Sequence, residues 1–489
     1  MPSSGVRPDP APAPGATGSR PGPDFDAVRQ EFELPAGFPP EALAEAEAAA
    51  ARAITAEPGR IDATDIELVT IDPPGSKDLD QAVGIERVGR GFRVHYAIAD
   101  VGAVVTPGGA LDAEVRRRGQ TIYLPDGSVP LHPPVLSEQA ASLLPDGPRR
   151  AVLWTIDLDA DGAVTATDVR RAVVASRARL DYAGVQAQID AREELHPAIA
   201  ALPEVGRLRR AAAVARGAIE LELPEQEIVQ DDDGWTLRVR ARLPVEDWNA
   251  EISLLAGTVA ADMMLRAGIG LLRTLPAPDA EAVAGLRRAA ERLGFDWPDG
   301  ASAAEVLAGL PDDGSAPVLA LRRAATTLLR GAGYAAFGAG AAPPPDPGHG
   351  GIGAPYAHVT APLRRLVDRF GTEICLAVAA GRTPDSWLLE ALPQLPDVMS
   401  ASDSLAGRVA RACLDRTEAA RLAGRVGETF EVIVLRAAGP EGEPGEVYLP
   451  DPAVIARCAG APKAGVTVAV TLTAADPSTG RVLFTAIDQ

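Results

Sequence analysis

The chain has 489 residues, enough for about three average domains or for one large catalytic domain with a smaller companion, and 46% of them are hydrophobic, so a sizeable core is expected. Its 67 acidic residues outnumber 47 basic ones for a formal net charge of −20, which argues against sequence-independent nucleic-acid binding over the outer surface, where phosphate neutralisation supplies most of the affinity. No basic segment leads into an apolar stretch near the start and no run of about 18 apolar residues occurs, so neither a secretory signal nor a membrane span is expected, and the expected location is the cytoplasm.

In chain order, residues 1–40 are rich in Pro, Gly and Ala and are expected to form a disordered tail. Residues 41–62 follow as a helical linker, with an Ala/Glu run behind Pro39 and Pro40. Ile66, Leu68 and Thr70 predict a strand ending at Asp72, and residues 92–101 predict another. Between them Pro73, Pro74 and Gly75 enforce a turn, and Asp72, Asp78 and Asp80 crowd three carboxylates into one loop. Asp78 and Asp80 share a face in extended chain while Leu79 points to the core. Carboxylates this close repel unless a hard cation with oxygen ligands neutralises them, which points to Mg²⁺, with Mn²⁺ as the alternative ion. The competing reading is a solvated acidic turn. Lys77, one of only two lysines, sits inside this loop.

Residues 111–119 predict a helix, residues 121–124 a short extended piece, and residues 151–158 and 164–174 a hairpin about an Asp-Gly turn. A helix opens at Tyr182. Another follows Asp247, Trp248 and Asn249, with Asn249 as its expected N-cap. Residues 277–329 are helical with breaks, 341–353 form a Gly/Pro-rich loop, 360–365 enter a further helix with Pro362 in its first turn, and 400–425 form a mixed-face helix. Five β-like runs in residues 427–489 predict a small OB or S1-like barrel. Cys375, Cys413 and Cys458 are far apart and lack a CxxC pair, and the five His form no HxxxH pair, which argues against a disulfide framework and a zinc site.

Asp72-x5-Asp78-Leu79-Asp80, the strand Val94-His95-Tyr96-Ala97-Ile98-Ala99-Asp100-Val101, Tyr123-Leu124-Pro125-Asp126, Pro130-Leu131-His132-Pro133-Pro134-Val135-Leu136-Ser137 and Tyr356-Ala357-His358-Val359-Thr360-Ala361-Pro362-Leu363-Arg364-Arg365 come in an order that resembles the ribonuclease II / ribonuclease R family. The resemblance implies an α+β RNB-type catalytic domain over residues 63–426, followed by the OB/S1-like domain at 427–489. It also implies a 3′-to-5′ exoribonuclease that hydrolyses single-stranded RNA to nucleoside 5′-monophosphates. In that frame Asp72, Asp78 and Asp80 hold Mg²⁺ and Arg364 holds the scissile phosphate. Tyr123 and Tyr182 contact RNA bases, Glu251 accepts a ribose 2′-OH, and Arg365 adjoins the phosphate site.

The chain departs from the family pattern in three places. Gln81 stands where the family has a fourth carboxylate and is expected to offer the metal an uncharged amide oxygen; Leu221 stands where the family has a stacking aromatic; and Glu251 is alone where the family has two glutamates. The 40 to 60 residues ahead of the catalytic domain have no composition for the cold-shock-type domains usual in the family. Arg116, Arg117, Arg118, Arg149, Arg150, Arg364, Arg365 and Arg369 are candidates to line a locally positive channel. A catalytically inactive RNA-binding protein and an interaction scaffold stay open as alternatives.

Overall fold

The computed structural model describes residues 22–52, 59–221, 225–232 and 234–487. Its first element, α1 (Phe25–Glu31), lies inside the stretch expected to be disordered. Asp24 caps it by accepting from the Ala27 N–H at 2.9 Å, and Phe25 and Val28, three apart, form one buried apolar face. Phe25 meets Trp235 edge to face at 5.2 Å, and Arg416 donates to the Asp24 carbonyl and the Glu31 carboxylate. So short a helix leaves no compositional signal among prolines and glycines; the expectation of a structureless tail is corrected for residues 22–40, and residues 1–21 lie outside the described residues. The Ala/Glu helix is α2 (Pro40–Ala50), with proline at its first position.

The central body is a five-stranded barrel. β1 (Ile61–Asp72), β2 (Gln81–Val88) and β3 (Gly91–Ala99) form an antiparallel meander. α3 (Ala110–Arg118) and a small hairpin of β4 (Ile122–Leu124) and β5 (Gly127–Val129) come next. β6 (Arg149–Leu158) then pairs with β3, and β7 (Val164–Asp181) pairs with β6 and closes the barrel by a parallel ladder to β1. Closure removes the exposed edges that an open sheet would leave. Trp154, Tyr96 and Phe92 are almost fully buried. β1 and β7 end, and β2 begins, at the same rim, so that rim collects Asp72, Asp80, Gln81 and Asp181, with Asp72 directly opposite Asp181.

α4 (Tyr182–Ala191) and α5 (Leu202–Ala215) lead to a hairpin of β8 (Glu225–Asp231) and β9 (Gly234–Arg240), and then to the long α6 (Pro244–Ala267). β10 (Gly270–Thr274) pairs with β11 (Gly333–Phe337) across an excursion of α7 (Ala280–Leu293), α8 (Ala303–Ala308) and α9 (Ala316–Ala325), which has its own apolar core. The Gly/Pro loop holds one two-residue ladder, β12 (Gly348–His349) with β13 (Ala354–Pro355). The chain then lies against α6 at Gly257, where a Cβ would fall 2.1 Å from the Tyr356 ring and 2.7 Å from the Ala357 carbonyl. Only glycine permits that approach, and it delivers the segment after Ala357 to the barrel rim.

α10 (Leu366–Ala379) packs on α6 and β7, and α11 (Ser386–Ala391) and α12 (Leu395–Leu422) complete the body. The second barrel consists of β14 (Thr429–Arg436), β15 (Gly445–Leu449), β16 (Val454–Ala459), β17 (Thr467–Asp476) and β18 (Arg481–Ala486), closed in the order β14, β15, β16, β18, β17. Phe430 and Phe484 pack together in its interior, which leaves Tyr448 as the only partly exposed member of the three aromatics expected there. The Glu418 carboxylate on α12 accepts from the Ile455 N–H at 3.0 Å and from Gln226 Nε2 at 2.8 Å, fastening barrel and β8 to one helix. All three cysteines are buried and free, and among the described residues no helix is long and apolar enough to cross a membrane.

Candidate active site

The acidic loop is held from behind. Leu79 is fully buried, worth about 1.5–3 kcal/mol of burial. Its N–H donates to Ser142 Oγ at 2.9 Å, its carbonyl accepts from the Leu143 N–H at 2.9 Å, and Ser142 Oγ donates to the Lys77 carbonyl at 2.6 Å. Anchoring Leu79 on one side turns its two neighbours to the other. Asp78 accepts from the Tyr123 hydroxyl at 3.2 Å. Asp80, buried, accepts from the Leu363 N–H at 2.7 Å, and its second oxygen lies 3.5 Å from Arg364 Nε. Desolvation, opposed by Arg364 and reinforced by Asp78, pushes the Asp72 carboxyl up to about 7 and the Asp80 carboxyl well above the usual carboxylate range.

Residues 360–365 form a turn ahead of α10 rather than its first turn, as the sequence had predicted, and Arg365 occupies the N-cap position. The turn is gripped along its length. The Thr360 carbonyl accepts from Gln81 Nε2 at 2.7 Å, and the Ala361 N–H donates to Asp368 at 2.6 Å. The Leu363 carbonyl accepts from His132 Nδ1 at 2.9 Å, the Arg364 carbonyl accepts from the Thr121 N–H at 2.9 Å, and the Leu366 N–H donates to the Gly119 carbonyl at 2.9 Å. The Arg364 backbone is thereby fixed, yet among the described residues its guanidinium donates no hydrogen bond, and its side chain is 44% exposed.

Tyr182 reaches the same rim because the parallel register sets Asp181, its N-cap, opposite Asp72. Its hydroxyl accepts from Asn249 Nδ2 at 3.1 Å. Asn249 is therefore not an N-cap: α6 starts at Pro244, and Asn249 and Ser253, one turn apart, face the rim. Glu251 lies about 160° around the helix from Ser253, buried toward α5 with Arg209, Arg210 and Arg216 as its charge partners, so the structure does not bring it to the Asn249 and Ser253 face. Leu221 packs on the core of α7 to α9.

The Gln81 amide oxygen points to hydroxyl groups on β3 and α6. Oε1 accepts from the Tyr96 hydroxyl at 2.5 Å, and the Tyr96 oxygen in turn accepts from the Ser253 hydroxyl at 2.7 Å. Most of the channel arginines are likewise committed. Arg365 makes a two-point pair with Asp368, Arg116 and Arg369 bind Asp112, Arg117 and Arg118 bind Glu114, and Arg149 binds Asp146. Arg369 is 2% exposed, which excludes it from any RNA surface.

The carboxylate oxygens of Asp72, Asp78 and Asp80 have the chemistry that suits a hard divalent cation, and burial, only partly opposed by Arg364, holds Asp72 and Asp80 above the ordinary carboxylate range. Among the described residues, no group of three or more His, Cys, Asp or Glu side chains is placed to hold a metal ion. Asp78 and Asp80 are turned instead to Tyr123 and Leu363.

A closed barrel with an acidic rim faced by Arg364, joined to a second small barrel, defines a two-barrel α+β protein of RNB type. The RNB domain matches residues 60–373, and the RNase II-type exonuclease C-terminal S1 domain matches residues 428–487; the chain belongs to the RNB family. It is 29% identical over 411 residues to ribonuclease R of Escherichia coli, covering 78% of this chain and 49% of that protein. It is 31% identical over 352 residues to ribonuclease R of Vibrio cholerae, covering 68% and 42%. The chain thus spans about half the length of the curated relatives it matches. In fold it is similar to Mycoplasma genitalium RNase R solved with ribose-methylated single-stranded RNA (TM-score 0.83, 21% identity, 95% of this chain and 77% of that one). It is also similar to yeast Ssd1, a pseudonuclease (TM-score 0.70, 17% identity, 89% and 55%).

Proposed function

We propose that this protein is a 3′-to-5′ exoribonuclease that hydrolyses single-stranded RNA to nucleoside 5′-monophosphates in the cytoplasm, with Mg²⁺ or Mn²⁺ held by Asp72, Asp78 and Asp80. The observation that carries this is a fixed turn presenting Arg364, whose guanidinium donates no hydrogen bond among the described residues, to a rim of three carboxylates. When bound, the ion supplies an activated water and a counter-charge for the leaving 3′ oxygen. The planar Arg364 fork donates to the non-bridging phosphate oxygens as their charge grows, and because its backbone is already held, little reorganisation accompanies the reaction. The faces of Tyr123 and Tyr182 stack on bases without regard to sequence. The likeness to RNase R solved with single-stranded RNA supports this substrate class.

The likeness to a pseudonuclease and the commitment of Gln81 favour one second reading, an RNA-binding protein that does not cleave. Purified protein incubated with 5′-labelled oligoribonucleotide and Mg²⁺ or Mn²⁺ separates the two. The expected result is a ladder shortening from the 3′ end with release of nucleoside monophosphate, lost in Asp80→Asn while RNA is still bound. RNA that stays intact with both proteins at saturating Mn²⁺ establishes the second reading.

A further inference from the structure

We infer that Gln81 is a positioning residue for Arg364 and not a fourth metal ligand; this rests on the exoribonuclease reading. Asp80 and Gln81, consecutive in sequence, grip the same turn at two points. Asp80 takes the Leu363 N–H at 2.7 Å, and Gln81 Nε2 donates to the Thr360 carbonyl at 2.7 Å. The two points are three residues apart and directly precede Arg364. Thr360 is 3% exposed, so water does not readily replace the Gln81 donor. On the other side of the amide, Oε1 accepts from the Tyr96 hydroxyl, whose oxygen accepts from Ser253 Oγ at 2.7 Å. This relay fixes which way the amide points, so its N–H₂ faces Thr360. One side chain therefore ties β2, β3 and α6 to the turn that carries the arginine.

An aspartate at position 81 cannot do this. It is one methylene shorter, it has no N–H to give the Thr360 carbonyl, and it would set a negative charge against that carbonyl. What this chain loses in metal charge relative to the fourth carboxylate of its family, it recovers as a fixed direction for Arg364. A displacement of about 1 Å in a positioning group costs on the order of 100-fold in rate, so losing the Gln81 contact while Asp80, His132, Thr121, Gly119 and Asp368 still hold the turn is expected to lower kcat by about 10-fold. KM, set by the remote RNA contacts, is expected to stay within about threefold.

The test uses full-length wild type, Gln81→Met, Gln81→Asp and the milder Ser253→Ala, which removes only one orienting hydroxyl and leaves the core intact. Three quantities are read: kcat and KM on a single-stranded oligoribonucleotide, Mn²⁺ affinity by the resonance of the free ion, and hydrogen exchange of the Leu363 and Leu366 amides. The expected result is a lower kcat at similar KM in Gln81→Met and Gln81→Asp, faster exchange at both amides, Mn²⁺ affinity within about twofold of wild type in Gln81→Met, and a smaller effect of the same kind in Ser253→Ala. Tenfold weaker Mn²⁺ binding in Gln81→Met, unchanged exchange, or a lower metal requirement in Gln81→Asp overturns the inference. Wild type that never shortens RNA refutes the exoribonuclease reading and the catalytic purpose of the clamp, while the exchange data still decide whether the clamp exists.

Discussion

The acidic rim makes metal-free stability depend on pH in a direction opposite to that of most carboxylates. Burial raises the Asp72 carboxyl from 3.8 to about 7. Between those values the folded state binds a proton that the unfolded chain does not, so stability is full below about pH 4 and is lost as pH rises through about 7. Two pKa values about three units apart, at about 1.4 kcal/mol each, give about 4 kcal/mol; screening at the rim reduces this to about 2–4 kcal/mol. Buried His132, pushed down to about 4, acts in the opposite sense below its ordinary value of 6.5, so wild type alone mixes the two. The difference between wild type and Asp72→Asn isolates the carboxylate. In EDTA, urea unfolding from pH 5 to pH 8, which spans about two of the three units, is expected to show wild type losing about 1–3 kcal/mol relative to Asp72→Asn. Added Mg²⁺ is expected to return most of that loss at pH 8 in wild type only. Because the metal must displace this proton, its affinity is expected to drop about tenfold per pH unit below 7. Parallel pH curves for the two proteins in EDTA, or equal stabilisation of both by Mg²⁺, refute the reasoning.

Glu418, pushed up to about 7 mainly by burial, is ionised at pH 8 inside the junction of α12, β8 and the second barrel. Glu418→Gln keeps an acceptor oxygen for Ile455 and Gln226 without the charge, so denaturant unfolding is expected to show a gain of about 1–3 kcal/mol at pH 8 and none at pH 5; a loss at pH 8 contradicts this. Tyr123→Ala removes a stacking face worth about 1–3 kcal/mol per base and is expected to lengthen the final digestion product, whereas Tyr123→Phe keeps the face and the product length. An unchanged end-product ladder in Tyr123→Ala removes that ring from the RNA path.

What was legible in the sequence followed from local rules. Apolar alternation and the Pro-Pro-Gly turn located β1, β3 and the acidic loop that leaves β1, though not the strand β2 that follows it, and the anchored Leu79 bears out the expectation that it points into the core. The arginines could have been placed better from sequence: Arg116 with Asp112, Arg118 with Glu114 and Arg365 with Asp368 stand three or four residues apart, the spacing at which helical side chains pair. The start of α6 was also visible, since Pro244 at its first position and Glu246 and Asp247 in its first turn outrank Asn249 as signals. The partners of Gln81 were not visible. Ser253 and Thr360 are 172 and 279 residues away, and no periodicity relates positions that meet only after a barrel has closed and Gly257 has let one strand lie on a helix.

The same nonlocal contacts explain how a chain of net charge −20 can present a cation to a phosphate. Left to local electrostatics, Arg364 and Asp80 would form a direct pair and neutralise each other. The turn prevents it. With the Leu363 N–H on one Asp80 oxygen, the other stays 3.5 Å from Arg364 Nε, beyond the range of a good charge-assisted hydrogen bond. Carboxylate and guanidinium are thus held close enough to stabilise each other's charge and too far apart to satisfy each other. With burial holding Asp72 and Asp80 above the ordinary carboxylate range, the metal-free rim stays partly protonated, and a divalent ion that ionises it also supplies positive charge beside Arg364. On the proposed reading, in which Arg364 holds the phosphate, filling the rim makes cation and phosphate binding mutually reinforcing.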